Sequence, residues 1–329
     1  MTEHQRILVL LTGGTILTGW DRQGQSLSLS KGAADLQEVL DDQEGIEVVF
    51  EPLMYTPSCH FTPETVFRVR QRIVQGVGEG FSGFVVLQGT DTLEETAYLM
   101  HLTLDCGRPV VFSGAMKSLD DRYRDAPGNL FDAVRVAADE QAAPLGVLVV
   151  LNQRIFSALD VEKGHSEAIG AFCSPESGAV GSVDVAGVHW TRQVKRGLVW
   201  QPRVEPRVVL LKSSLGVGDF LLRASLQAGV RGVVLEAFGA GNVVPSWVPL
   251  IEEAVKSGVC VAVTSRTGRG NALPLYNYAG GGKQLQEKGA VFVKGLNGLR
   301  ARLKLMLLLG QIPALNPVEV AHLMEEGIA

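Results

Sequence analysis

Cysteine is scarce in this chain. Four occur among 329 residues, Cys59, Cys106, Cys173 and Cys260, and no two form a Cys-x-x-Cys pair. That spacing argues against a zinc ribbon and a disulfide framework, and fits a reduced compartment. The six histidines show neither His-x-x-x-His nor His-Glu-x-x-His spacing, so no metal is expected. Aromatic residues make up only 6 % and the net charge is −5, with no basic run carrying interleaved aromatics. A nucleic-acid partner is therefore not expected. Long apolar runs are missing too. Leu303 to Leu309 is the nearest, and Lys304 interrupts it well short of a bilayer span. The opening "MTEHQRILVLLTGG" has an acidic residue before a short apolar run and makes a poor signal peptide. These absences predict a cytoplasmic protein with no membrane segment, metal or organic cofactor.

What is present is ordinary for a globular protein: 46 % apolar and 20 % charged residues, with 38 glycines. The length predicts two domains, each able to bury a core. Short apolar runs alternate with helix-like segments, the pattern of a parallel sheet with crossover helices. "RILVLL", "IEVVFEPL", "GFVVLQ", "PVVFSG" and "LGVLVVLN" read as successive strands. Thr62 before Pro63 predicts a capped helix start, and further helices are expected over Ala33 to Asp41, from Thr92, and over Asn129 to Asp139. Gly19 to Lys31 has no periodicity and reads as a polar, mobile loop. From Gln153 to Arg192 the alternation fades into loop plus a hairpin at "GAVGSVDVAGVHW". Residues 191–207 turn basic and proline-containing, which predicts a linker between domains 1–190 and 208–329. The alternation then resumes with "VVLLKSS", "GVVLEAFG", "VCVAVTSR" and "AVFVKG", closing with helices near Gly298–Leu309 and Val318–Glu326.

Ligands of doubly wound sheets bind outside the carboxyl ends of the strands. In the first half those ends read Thr12-Gly-Gly-Thr15, Tyr55 to His60, Gln88-Gly-Thr-Asp-Thr92 and Ser113 to Lys117, with Asp160-Val-Glu-Lys163 after the fifth strand. Hydroxyls, carboxylates and lysines recur there. The glycines at 13 and 14 do not form a phosphate-binding loop, since neither Gly-x-x-x-x-Gly-Lys-Ser/Thr nor Gly-x-Gly-x-x-Gly is present. Thr92 and Glu95 match a Thr-x-x-Glu capping box, leaving Thr90 and Asp91 over at a helix start. No Gly-x-Ser-x-Gly elbow or recognised nucleophilic cysteine occurs. A threonine nucleophile needs a base, because its hydroxyl is almost wholly protonated at neutral pH. Two bases stay open: a lysine of lowered pKa, or a carboxylate–lysine pair acting through a second hydroxyl. Lys163 and Lys117 both lie on suitable loops, and Lys117 fits a plain surface role better.

Thr12-Gly-Gly-Thr-Ile16 and Gln88-Gly-Thr-Asp-Thr-Leu-Glu-Glu-Thr-Ala97 resemble the two signature segments of the bacterial-type L-asparaginase/glutaminase family, in its cytoplasmic type I-like form. "PVVFSGAMKS", "DAPGNLFDAVRVAAD", "DVEKGHSEAIGAFCSPESGAVG", "FGAGNVV" and "TSRTGRG" follow in the family's order, so the resemblance spans nearly the whole chain. It implies a larger N-terminal α/β domain with a mostly parallel sheet flanked by helices, carrying most of the site. A smaller C-terminal α/β domain follows. It also implies hydrolysis of asparagine to aspartate and ammonia. Thr15 matches the nucleophile. Thr90, Asp91 and Lys163 match the group that activates the attacking species, and Asp91 would also hold the α-ammonium. Ser58 matches a serine for the α-carboxylate. Cys59 and Gly89 flank the substrate, and Ala115 offers a backbone carbonyl to its amide. Thr12 is expected to be structural. A homodimer or homotetramer is implied.

The chain departs from the family at several points. No tyrosine occurs between Ile16 and Met54, where relatives carry one in the mobile loop. Cys59 stands for Gln or Ser, Gln88 for His, and Leu159 for Arg. "GAGNVV" keeps Asn242 but lacks the second asparagine that some relatives have. The loop from Leu17 to Lys31 is still expected to close over substrate, using Trp20, Asp21 and Arg22. Two other readings remain: an asparaginase-like subunit of a tRNA-dependent amidotransferase, and a catalytically silent amino-acid-binding protein.

Overall fold

Seven residues, Gln5–Leu11, form strand β1, and their apolar run is buried from Ile7 onward because sheet neighbours flank both edges and helices cover the faces. A computed structural model describes residues 5–20, 27–29, 33–37, 40, 45–312 and 317–325. Contacts divide the chain into two units, 1–199 and 200–328.

In the first unit β2 (Thr18–Trp20) and β3 (Leu27–Leu29) follow β1, then α1 (Ala33–Gln37) and β4 (Ile46–Pro52). Next come α2 (Pro63–Gly78), β5 (Gly83–Leu87), α3 (Leu93–Thr103), β6 (Val110–Ser113), α4 (Ala126–Ala138) and β7 (Val147–Leu151). The remaining strands are β8 (Arg154–Ser157), β9 (Glu162–Lys163), β10 (Phe172–Cys173), β11 (Gly181–Asp184) and β12 (Gly187–Trp190). The main sheet is eight-stranded in the order β12-β11-β8-β7-β6-β5-β1-β4. Pairing is parallel from β4 through β7 and antiparallel from β7 to β12. Renumbered by appearance, its parallel strands run 2-1-3-4-5, so the order reverses between β1 and β5. That reversal opens a crevice at their carboxyl ends. Leu11 is level with Pro52 and Leu87, and Leu87 with Ser113, which puts four loops on one edge.

Local signals account for several elements. Thr62 caps α2, accepting from the Thr65 N–H while the Thr65 hydroxyl accepts from the Thr62 N–H, with Pro63 opening the helix. The hairpin at β11–β12 forms in the segment where it is expected.

Other expectations need correction. Thr92 ends up as the N-cap of α3 but makes no side-chain cap; its hydroxyl donates to the Ser58 carbonyl at 2.8 Å instead. The capping box with Glu95 is therefore absent: turned toward Ser58, the hydroxyl accepts from Gln88 Nε2 at 3.3 Å rather than from an N–H of the helix. The stretch from Gly19 is not wholly loop, since β2 pairs antiparallel with β3. Residues 21–26 and 30–32, including Asp21 and Arg22 of the expected lid, lie outside the described residues. The fourth helix starts at Ala126, one residue before Pro127, rather than at Asn129. Arg154–Ser157 is a sheet strand antiparallel to β7, entered through Asn152 and Gln153 at φ 50° and 61°.

Residues 191–207 contain no helix or strand. In the second unit β13 (Val208–Lys212), α5 (Phe220–Gln227), β14 (Gly232–Ala237), α6 (Val248–Lys256), β15 (Cys260–Ser265), α7 (Gly282–Glu287) and β16 (Val291–Phe292) alternate. They are followed by α8 (Gly298–Gln311) and α9 (Pro317–Glu325). The sheet is parallel and runs β13-β14-β15-β16 without reversal. Val233, Leu235, Trp247, Ile251, Val263 and Leu285 lie in its core. Among the described residues, no helix is long and apolar enough to cross a membrane.

Candidate active site

The loop leaving β1 packs backbone against backbone. Gly13 and Gly14 have φ of 119° and 94°, a region that disfavours any side chain. A Cβ on Gly13 would lie 2.5 Å from the Thr56 carbonyl oxygen, and one on Gly14 2.2 Å from the Gly89 nitrogen. The two glycines thus bring three strand-end loops into contact. Thr12 locks that contact: it is fully buried, its N–H and its hydroxyl both donate to the Leu87 carbonyl, and its own carbonyl accepts from the Thr56 N–H. Its role is structural, as the sequence suggested. Thr15 follows at once and opens a single 3₁₀ turn, Thr15–Leu17. Its carbonyl accepts from the Thr18 hydroxyl, while its own hydroxyl has no hydrogen-bond partner among the described residues.

On the neighbouring edge, Gln88, Gly89, Thr90 and Asp91 join β5 to α3. Lys163 Nζ donates to Thr90 Oγ1 at 2.9 Å and to Asp91 Oδ1 at 2.8 Å, across more than seventy residues of sequence. Thr90 is buried, the Lys163 side chain is 14 % exposed, and the Asp91 carboxylate is 64 % exposed. A sheltered cation therefore holds one buried hydroxyl and one carboxylate that still faces solvent. The Lys163 backbone is fixed as well: its N–H donates to Glu94 Oε2 at 2.8 Å, and β9 pairs with β10.

Ser58 opens a 3₁₀ turn, Ser58–His60, and is buried; its Oγ accepts from the Asp91 N–H at 3.2 Å. Cys59 is the exposed second residue of that turn. Gly89 lies close by, where an added Cβ would sit 2.7 Å from Ser58 Oγ. Ala115 is buried in the loop after β6. The Asp125 carboxylate shapes that loop by accepting from the Met116 and Lys117 N–H groups, and Asn129 Nδ2 donates to the Gly114 carbonyl. Gln88 is fully buried and donates to Thr96 Oγ1 at 3.0 Å and Thr92 Oγ1 at 3.3 Å. It supports the loop from beneath.

The structure thus gathers Ser58, Gly89, Thr90, Asp91 and Lys163 through direct contacts, with Thr15 beginning where Gly14 touches Gly89. Glu94 has no signal of its contact with the Lys163 N–H in the sequence, where the capping pattern points to Glu95. It stands in the first helical turn, but its partner lies 69 positions away. Among the described residues, no group of three or more His, Cys, Asp or Glu side chains could hold a metal. Chemically, the edge offers the Thr15 hydroxyl, without a partner among the described residues, and a hydroxyl–lysine–carboxylate group.

The family profile described as "Asparaginase, N-terminal" matches residues 6–196, and "Glutaminase/Asparaginase C-terminal domain" matches 207–324. The chain is 32 % identical to the L-asparaginase of Bacillus licheniformis, over 93 % of this chain and 96 % of that protein. It is 38 % identical to a probable L-asparaginase of Deinococcus radiodurans, over 92 % of each. The crystal structure of a probable cytoplasmic L-asparaginase from Campylobacter jejuni aligns with a TM-score of 0.86 at 28 % identity, covering 97 % of this chain and 99 % of that one. With both halves matched in order and the strand-end loops built on the fold those relatives share, this chain belongs to the asparaginase family.

Proposed function

We propose that this protein is an L-asparagine amidohydrolase that uses Thr15 as nucleophile and releases aspartate and ammonia. The observation that carries the reading is the Lys163 ammonium bridging Thr90 and Asp91 beside the loop that presents Thr15. The Thr15 hydroxyl attacks the side-chain amide carbonyl, and its proton passes through the Thr90–Lys163–Asp91 group to the departing nitrogen. Ammonia leaves and a β-aspartyl ester remains on Thr15. Water then adds to that ester, and collapse returns the Thr15 hydroxyl and frees aspartate. Of the two bases left open by the sequence, the ion pair favours the carboxylate–lysine pair acting through a second hydroxyl.

Substrate is held by complementary charge. Asp91 receives the α-ammonium, Ser58 the α-carboxylate, and Cys59, Gly89 and Ala115 line the same loops. N–H groups at these strand ends stabilise the oxyanion, a contribution that can reach about 3 kcal/mol per donor. The enzyme works in the cytoplasm as a homo-oligomer and needs no cofactor; the location is supported by the naming of the Campylobacter jejuni relative as probably cytoplasmic.

The test is ammonia release from L-asparagine by the purified protein alone, with and without EDTA. Turnover unaffected by the chelator supports the reading. Ammonia only when an amidotransferase partner is added would make the chain a donor subunit, and asparagine binding without ammonia a silent binder.

A further inference from the structure

Glu94 belongs to α3, one residue past its start and three past Asp91, yet its carboxylate does not serve the helix alone. Its Oε2 accepts the Lys163 backbone N–H at 2.8 Å. The next N–H along, that of Gly164, donates to the Ala171 carbonyl at 2.7 Å, on the side of β10. Lys163 therefore sits at a handover, where one backbone N–H is taken by a helix side chain and the following one by the chain leading into β10. At the far end of the same residue, Nζ is shared between Thr90 and Asp91. Backbone and side chain of Lys163 are thus anchored on one short junction, residues 90–94, at both ends.

Such anchoring matters because β9 is only two residues long and pairs with a strand equally short. The Asp160 carboxylate, which accepts from Ser174 Oγ at 3.0 Å, and the Gly164 bond hold the flanks of this short pairing. Neither reaches the Lys163 N–H, and a lysine has four side-chain torsions to lose its aim. A carboxylate at a helix N-terminus is a strong acceptor, favoured there by the helix dipole. We propose that Glu94 is a positioning residue: it sets the backbone of Lys163 so that Nζ reaches Thr90 and Asp91 together. The proposal rests on the catalytic role given to Lys163 above. Glu94 needs to offer an acceptor oxygen at this position, and its negative charge is secondary. Misplacing a catalytic group by about 1 Å can cost roughly a hundredfold in rate.

The experiment compares E94M, which keeps length and helix preference but removes the acceptor, with E94Q, which keeps an acceptor without the charge. Each is measured for asparagine kcat, KM and thermal midpoint, alone and in a K163M background. E94M is expected to lower kcat about thirtyfold with KM within about threefold. E94Q should recover at least about tenfold of that loss, which a loss of charge alone would not permit. In the K163M background, E94M should cost less than about threefold more, because both changes remove the same function. An E94M enzyme with wild-type kcat, an E94Q enzyme as slow as E94M, a rise in KM at constant kcat, or full additivity with K163M would each overturn the proposal. Should E94M fail to fold, the E94Q comparison with wild type at matched thermal midpoint decides: a drop beyond about tenfold overturns it. If K163M itself turns over like wild type, the role of Lys163 fails, and that result is read independently of Glu94.

Discussion

The parallel strands of the two larger sheets in this chain end in very different edges. In the first unit the strand order reverses between β1 and β5, and the loops at that reversal carry a lysine bridging a buried hydroxyl and an exposed carboxylate. In the second unit the strands proceed in one direction, and the carboxyl edge is stitched to itself. Arg266 donates to the Ser213 carbonyl and lies 4.5 Å over the Phe238 ring, while Ser265 Oγ donates to the Gly239 carbonyl. Both edges are rich in hydroxyls and charge. Polar composition alone therefore does not make a site. A reversal of strand order splays adjacent loops and leaves polar groups facing a gap; at the second edge, Arg266 and Ser265 are instead bonded to neighbouring loop carbonyls.

The comparison is broken or sharpened by substitutions at each edge. The largest effect is expected at Thr15. Thr15→Val should cut kcat by about three orders of magnitude or more with the thermal midpoint unchanged, and Thr15→Ser should keep part of the activity. A Thr15→Val enzyme near wild type would remove the nucleophile from this edge. Next, under the proposed mechanism Lys163→Met should lower kcat by about a hundredfold with little change in KM, the signature of a group engaged chiefly in the transition state. Equal kcat with a large rise in KM would make Lys163 a substrate anchor instead.

Third comes stability and its pH dependence, which is also uneven. In the first unit, burial and the nearby Arg196 push His101 down to about 4, while its unfolded value is 6.5. Unfolded chains then bind the extra proton first, so this contribution to stability is lost as pH falls from 6.5 to 4. Burial pushes Asp132 up to about 6 from 3.8, against the pull of Arg135, so its contribution has the opposite sign and stability is gained as pH falls through 6. The two offset one another between pH 6 and 4. Asp132→Asn should stabilise by up to about 2 kcal/mol at pH 7, lose that advantage by pH 4, and make acid loss steeper than in wild type. Thermal midpoints across that range check it; an equal shift at pH 7 and pH 4 would refute it. The second unit contrasts, since Glu205, held to about 2 by its hydrogen bond from Arg207, releases its contribution only as pH falls below about 4.5.

The smallest effect belongs to the closed edge. Arg266→Ala removes one cation–π contact and one hydrogen bond at an exposed residue, and should cost about 1 kcal/mol by denaturant titration. A loss above about 3 kcal/mol would show that this edge carries more of the second unit's stability than its contacts imply.

Much of this protein was decided by sequence alone wherever the governing interaction is local. The apolar runs that become β1, β5, β6 and β7 are buried strands because every residue in them needs cover on both faces. Thr62 and Pro63 start α2 from within one turn. Gly13 and Gly14 are legible as special, since only glycine adopts those angles beside another backbone. Tertiary structure decided what depends on competition between distant partners. Thr92 carries a local capping pattern, but the Ser58 carbonyl, 34 residues away, takes its hydroxyl. β8, β9 and β10 are too short for any periodicity, and pairing alone makes them strands. The bond from Lys163 to Glu94 spans 69 residues, and no spacing rule reaches that far. A hydroxyl or carboxylate commits to whichever partner the fold brings within about 3 Å, and that choice is made only when the sheet edges meet.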